Sequence, residues 1–294
     1  MHKTTEGTIA IIIPFILWGL FPIYWKSLEH INPTQLLAHR IVWSFIFVVL
    51  LLTASRQWKK SVSIITTYSD TRVFIATSFL IGVNWLTYIW AVNSDQIVEA
   101  SLGYFINPLV NVFLGIVSLR ERLNRWQVFS VLLASFGLIF LTWKLGRVPW
   151  IALILAFTLG TYGLLRKIVI ANSMTGLFIE TAILTPFALT YLINLSLNGA
   201  NAFDLVDLKT DFLLIGSGLI TAVTLLLFVY GARRLQYSTV GFLQYIIPTL
   251  KLLLGVFLYE EPFTLIHTIS FGFVWTAILI YLTSSVFVGK EPSA

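Results

Sequence analysis

His39, Arg40, Glu99, Glu180 and Lys251 lie inside long apolar runs of the 294-residue chain. A charge at membrane depth costs at least ~2.5 kcal/mol unless it is paired or hydrated, so each needs a partner or water. Lys251 shares a helical stripe with Gln244, Pro248 and Gly255, and the same spacing occurs 140 residues earlier as Tyr104, Pro108, Asn111 and Gly115. No carboxylate is obviously placed for Lys251. Either it is held neutral, or it faces a hydrated cavity and meets an anionic group on a ligand. The second reading is favoured, because Asn111, Tyr104 and Gln244 would line the same space and hold the rest of a small zwitterion or acid. Arg40 and Glu99 lie at similar depth and are expected to pair. His39 alone reads first as a hydrogen-bonded interior imidazole. This chemistry is binding rather than bond making: only Glu180 and Glu99 supply carboxylates within the spans, and no paired histidine motif exists. No catalytic residue and no metal ligand set is assigned, and no cofactor is implied.

The elements that carry these residues repeat. The stretch 99–121, EASLGYFINPLVNVFLGIVSLRE, places Pro108, Gly115 and Glu121 where 239–261 places Pro248, Gly255 and Glu261. A proline inside an apolar helix frees a carbonyl, which a bilayer tolerates only where protein or a wet cavity satisfies it. The four Pro and Gly positions are therefore candidate hinges. That they only let helices pack closely is the plainer alternative, and it leaves Lys251 unexplained. Gly19 and Lys26 correspond to Gly160 and Lys167 at an offset of 141, and Glu180 falls opposite His39. Lys26 with His39, and Lys167 with Glu180, are expected to form related gates at opposite mouths. Asn84 and Tyr88 share one face of the third apolar segment, with Trp85 bordering it. Trp18, Trp43 and Asn107 complete the candidate substrate-binding set.

Composition fixes the class. Apolar residues make up 57% and charged residues 11% of the chain, with a mean hydropathy of +0.88, outside the range of a soluble domain. At roughly 20 residues per span, ten apolar segments are read: 8–26, 34–55, 72–92, 98–119, 126–144, 149–168, 176–197, 211–233, 238–259 and 264–288. The fifth and tenth look like packing partners, with Trp143 or Trp275 turned inward. The net charge of +6 is spread over short loops rather than gathered in a nucleic-acid patch. Its distribution, with Arg120, Arg122, Arg125, Arg166 and Lys167 on one side and Lys26, Lys144, Arg147 and Lys209 on the other, predicts cytoplasmic termini. Five spans per half is odd, so the second copy is turned over. The reading is an all-α polytopic membrane protein of two inverted five-helix repeats, 1–145 and 146–294. There is no cysteine, which excludes disulfides and thiolate metal sites. The first apolar run lacks a small-x-small cleavage site and reads as a retained helix.

The motifs WGLFPIYWK, AHRIVWS, GVNWL with IWAVN, and EASLGYFINPLVNVFLG with its LRERL ending closely resemble RarD-type transporters of the EamA group, in the drug/metabolite transporter superfamily. The resemblance covers nearly the whole chain. It implies ten helices in two inverted repeats, a central cavity between the first four helices of each half, and an inner-membrane transporter of small metabolites or drugs. Members move amino acids, related metabolites or toxic compounds, often outward. The family name records a link to chloramphenicol sensitivity and fixes no substrate.

No P-loop or ATP-binding domain is present, so transport is either that of a secondary carrier or that of a uniporter. A membrane-embedded enzyme modifying a lipid or isoprenoid is the alternative, and it lacks the residue cluster such chemistry needs. A channel would need a pore loop or a ring of like charge. The partners expected are a small-molecule substrate and membrane lipids, with no nucleic acid, and the sequence does not fix an oligomeric state.

Overall fold

The computed structural model describes the backbone of residues 2–56, 58, 68–93, 97–145, 150–203, 207–258 and 265–288. Side chains are described for the same residues except 2–4, 68–71, 92–93, 97–102, 145, 255, 267 and 285–288. Among the described residues every regular element is a helix. These are α1 (His2–Lys26), α2 (Pro33–Ala54), α3 (Tyr68–Asn93), α4 (Ile97–Leu119), α5 (Arg125–Leu145), α6 (Trp150–Ile168), α7 (Ser173–Leu197), α8 (Leu208–Ala232), α9 (Tyr237–Gln244), α10 (Ile246–Phe257) and α11 (Leu265–Val288). An apolar segment in a bilayer must satisfy its own N–H and C=O groups, and a helix does so within itself. Among the described residues seven helices are long and apolar enough to cross a membrane, and α4 and α11 contain shorter apolar stretches. Leu50, Phe79, Leu132 and Phe187 project from outer faces where lipid is the natural solvent. The protein is an all-α, multi-pass membrane protein.

Helix starts follow sequence chemistry. Asn32 Oδ1 accepts the Thr34 amide at 2.9 Å, with Pro33 next to it, and so opens α2. At the same offset of 140, Asn172 Oδ1 accepts the Thr175 amide at 2.8 Å and opens α7. The two stripe prolines behave differently. Pro108 lies inside the continuous α4, whereas Pro248 lies just beyond a break at Tyr245 that separates α9 from α10. Proline offers no N–H to the carbonyl four residues earlier, here that of Gln244, so the ladder is interrupted there.

The packing brings the two halves of the chain together. Helix α1 packs on α8, α9 and α10, α2 lies against α7 and α8, α3 against α6 and α7, and α4 against α6 and α9. Glycines permit close contacts here: a Cβ on Gly160 would sit 2.8 Å from Val110 Cγ1, and one on Gly19 would sit 2.7 Å from Leu250 Cβ. Helices α5 and α11 pack chiefly on each other, with Phe136 and Phe273 edge to face at 5.0 Å. The expectation of an inward Trp143 or Trp275 is not met. Both are exposed, Trp143 at 74%, because the seam between α5 and α11 is filled by Gly137, Phe273 and Val274 instead. The main core lies at the centre of the bundle around Phe15, Leu159, Tyr162, Phe228 and Tyr237.

Candidate functional site

Residues from seven helices line a cavity of about 60 Å³ that adjoins the core on the side toward the end of the bundle where α1 terminates at Lys26. Trp18, Phe21 and Trp25 come from the last turns of α1, Arg40 from α2, Ile81, Asn84, Trp85 and Tyr88 from α3, and Tyr104 from α4. Leu159 comes from α6, Thr221, Thr224 and Leu225 from α8, and Lys251 from α10. The space equals roughly two water volumes. A larger apolar groove lined by Leu17, Leu20, Ile23 and Val223 runs between α1 and α8, but its exposed leucines and isoleucine face lipid and its lining holds no ionisable group except Tyr24.

The cavity is electropositive and aromatic. The Arg40 guanidinium, buried at 6% exposure, lies 4.7 Å from the centroid of Trp25 and 5.0 Å from that of Trp85. Its Nε donates to Thr221 Oγ1 at 3.2 Å. The Lys251 ammonium lies 3.4 Å from the ring centroid of Tyr104 and 5.3 Å from that of Tyr88, and these two tyrosines meet edge to face at 5.9 Å. Asn84 is anchored to α6, donating to Leu155 O and to Thr158 Oγ1, both at 2.9 Å. Among the described residues the lining contains no carboxylate. Below it Trp18, Phe15 and Phe228 form a ring cluster with centroids 5.4 to 6.1 Å apart.

Of the residues singled out in the sequence, Trp18, Arg40, Asn84, Trp85, Tyr88, Tyr104 and Lys251 meet in this cavity. Others lie elsewhere. Asn107 donates to Ala156 O at 2.6 Å, and Asn111 donates to Gln244 Oε1 at 2.6 Å, so these amides stitch α4 to α6 and α9 beside the cavity. His39 Nε2 lies 3.1 Å from Asn201 Oδ1, and its ring and that of Trp43 both pack on Phe203, in the loop that follows α7. Lys26 ends α1 on that same side. Pro108, Gly115 and Pro248 are buried, and Gly255 lies within α10. Glu99 belongs to the helical backbone of α4, but its side chain, and with it the expected pairing to Arg40, lies outside the described residues.

At the opposite end of the bundle the charges are matched. Glu180 Oε1 lies 3.3 Å from Arg166 Nε, with both side chains at most 2% exposed, and the Tyr162 hydroxyl donates to Glu180 Oε2 at 3.2 Å. The guanidinium crosses the first turn of α7 at Gly176, where no side chain stands in its way, and donates to Ser173 O at 3.1 Å. Lys167 donates to Ala232 O at 2.7 Å and also to Leu235 O, closing the carboxyl end of α8.

Comparison with known proteins agrees with this architecture. Residues 5–143 match the EamA-like transporter family. The chain is 44% identical over 291 residues to an uncharacterized transporter, YojE, of Bacillus subtilis, covering 97% of this chain and 96% of that protein. It is 39% identical to Protein RarD of Escherichia coli K12, covering 99% and 98%. This is a RarD-type member of the EamA family. The Chloramphenicol-sensitive protein RarD of Pseudomonas aeruginosa is more distant, at 29% over 95% and 94% of the two chains. A crystal structure of a protein 17% identical in sequence superposes with a TM-score of 0.69 over 96% of this chain and 98% of its own, so the fold is shared.

Several residues of this EamA chain that shape the site escaped the sequence reading. Trp25 and Thr221 belong to the cavity, yet a tryptophan near a helix end and a threonine in an apolar run carry no distinctive signal, whereas Thr224, also in the lining, is legible as the repeat mate of Asn84 at the offset of 140. Arg166 reads as a loop charge marking topology and is 1% exposed. Its spacing from Glu180 gives no hint of the pair, which depends on how α6 and α7 pack.

Proposed function

We propose that the protein is a secondary transporter or uniporter of a small metabolite, an amino acid or related zwitterion or acid, or of a drug, working by alternating access around the cavity that holds Lys251. The observation that carries this reading is the Lys251 ammonium, set against aromatic rings in a lining that has no carboxylate among the described residues. A ligand carboxylate or comparable anionic group supplies the missing charge. The names of the curated relatives, which are transporters, support the same class. The name of the Pseudomonas relative puts chloramphenicol among the compounds to screen.

In this reading the chain has ten spans in two inverted repeats, 1–145 and 146–294, with α9 and α10 together forming the ninth span. The paired contacts support it. The packing of α3 on α6 has its counterpart in α1 on α8, and that of α4 on α6 in α1 on α9 and α10. The termini and the Lys167 end face the cytoplasm of the inner membrane, by the distribution of Lys and Arg. Lys26 with His39, and Lys167 with Glu180, mark the two mouths, and Pro108, Gly115, Pro248 and Gly255 are the hinges. Glu99, Asn107, Asn111, Gln244 and Trp43 support the site from the helices around it.

The test is flux in vesicles that contain only this protein. Saturable uptake with exchange across the membrane is expected, and turnover of a lipid without flux would point to an enzyme instead. Lys251→Met keeps the stem and removes the charge. It is expected to insert normally and to lose about 1.5–3 kcal/mol of substrate affinity, the worth of a charged hydrogen bond. Transport with unchanged affinity would remove the role assigned to Lys251.

A further inference from the structure

We propose that the ligand is a dianion, held at once by Lys251 and Arg40. The proposal rests on the assignment of Lys251 above and extends it to the second cation of the cavity.

Arg40 and Lys251 border the same small space, Arg40 against Trp25 and Trp85 and Lys251 against Tyr104 and Tyr88. Each cation leans on two aromatic rings. A ring face holds a cation without neutralising it. No carboxylate among the described lining residues offsets either charge. One monoanion leaves a net positive charge in the cavity, whereas a dianion cancels both.

The donors fit that use. Arg40 spends Nε on Thr221, and among the described residues no hydrogen bond engages its terminal nitrogens, whose two-pronged edge has the shape that an oxyanion takes. Lys251 has no hydrogen-bond acceptor among the described residues and keeps part of its surface open to the cavity. The Trp25 and Trp85 rings on Arg40 fix its plane, so the prongs are positioned before a ligand arrives. Two carboxylates on one short ligand, or one phosphate bridging the cations, present the same chemistry.

The experiment compares binding of succinate, inorganic phosphate and propionate to the full-length protein in nanodiscs, by thermal stabilisation at mildly alkaline pH where the first two are dianions. At least one dianion is expected to bind about tenfold or more tightly than propionate, as one added charged hydrogen bond predicts. Arg40→Met should bring that dianion down to the level that propionate shows with the unaltered protein. Arg40→Lys, which keeps the charge and loses the fork, should restore part of the preference and serves if the methionine variant does not fold. Lys251→Met should weaken all three anions. Succinate binding without phosphate binding identifies a dicarboxylate, and the reverse a phosphorylated compound.

Equal affinity for the dianions and propionate in the unaltered protein overturns the proposal. A preference that appears only after Glu99→Gln also overturns it, because Glu99 would then be the counter-charge of Arg40. If Lys251→Met binds every anion normally, the assignment of Lys251 fails first. If only the Arg40 variants behave as the parent, that assignment stands and the dianion alone falls.

Discussion

The two ends of the bundle bury the same kinds of side chain and treat them in opposite ways. Toward the Lys26 end, Arg40 and Lys251 rest on tryptophan and tyrosine rings in a lining without a described carboxylate. Toward the Lys167 end, Arg166 lies against Glu180, Lys167 holds helix-terminal carbonyls, and Glu121 accepts from Tyr237 N at 2.5 Å, Ser238 N at 2.9 Å and Ser238 Oγ at 2.7 Å. These groups join the turn after α4 to α9, α6 to α7 and α6 to α8. In the function proposed above, the unmatched cations are the ones that a ligand completes, and the matched groups are the ones that close the other mouth.

Removing one partner of the matched pair is the severest way to break this contrast. Arg166→Met or Glu180→Leu leaves a lone charge among apolar groups, and each is expected to cost about 3–5 kcal/mol of stability. The double variant, which buries neither charge, should regain most of the loss. The measurement is the thermal midpoint of the purified protein in detergent, taken as a double-mutant cycle. Additive losses would mean that the two residues act independently, and the closed end would need another explanation. Lys251→Met, at the unmatched end, should by contrast leave the midpoint unchanged or raised while ligand affinity falls.

The next prediction concerns Glu121, whose carboxylate caps α9 from a different half of the chain. Helix α9 has no side-chain cap of its own at Gln236. Arg120, with φ of 54°, turns the backbone so that Glu121 folds back against Gly115, where a Cβ would lie 2.7 Å from Oε2. Glu121→Gln keeps the size and loses one charged acceptor, for an expected cost of about 1–2 kcal/mol. Hydrogen exchange at the Tyr237 and Ser238 amides should quicken, and ligand affinity should hold. Unchanged exchange at both amides would show that the contact contributes no closure.

How much of this was legible in the chain follows from what each feature depends on. Span positions depend on apolar length alone: the segments 34–55, 149–168 and 211–233 were predicted, and Pro33–Ala54, Trp150–Ile168 and Leu208–Ala232 are observed. The cavity face of α3 was visible in the spacing of Asn84, Trp85 and Tyr88. Asn111 and Gln244, read as two stripes facing one space, do meet, but Asn111 Nδ2 donates to Gln244 Oε1 rather than to a cavity. Equal proline spacing makes Pro108 and Pro248 equal candidates for a hinge, whereas of the two only the Pro248 segment is broken; local sequence does not say how the surrounding helices support each freed carbonyl. The Arg166–Glu180 pair depends on the rotation of two helices about their axes, which no single-helix pattern encodes.

The smallest effect belongs to the loop side of the Lys26 end, where Asp207 caps α8. Its Oδ2 accepts from Thr210 Oγ1 at 2.6 Å and its Oδ1 from the Lys209 amide at 3.2 Å. His30 Nε2 lies 3.2 Å from the same Thr210 hydroxyl, tying the loop after α1 to the cap. The hydrogen bond from the Thr210 side chain, followed by backbone bonds from Thr210 and Lys209, holds the Asp207 carboxyl below its usual value, and the nearby His30 acts in the same sense. A carboxylate depressed in the folded state stabilises it above the unfolded value, near 3.9 for aspartate, and loses that contribution as pH falls through the lower folded value. Acidification below about pH 4 should therefore fray the first turn of α8, seen as faster hydrogen exchange at the Lys209 and Thr210 amides. Asp207→Asn, which still accepts but carries no charge, should remove the pH dependence of that exchange and slightly raise its rate at neutral pH. The group is fully solvated, so the global thermal midpoint should barely move. If exchange in the Asn variant keeps the parent's pH profile, another group governs the turn, and the cap at this end is no more charge-dependent than the asparagine caps of α2 and α7.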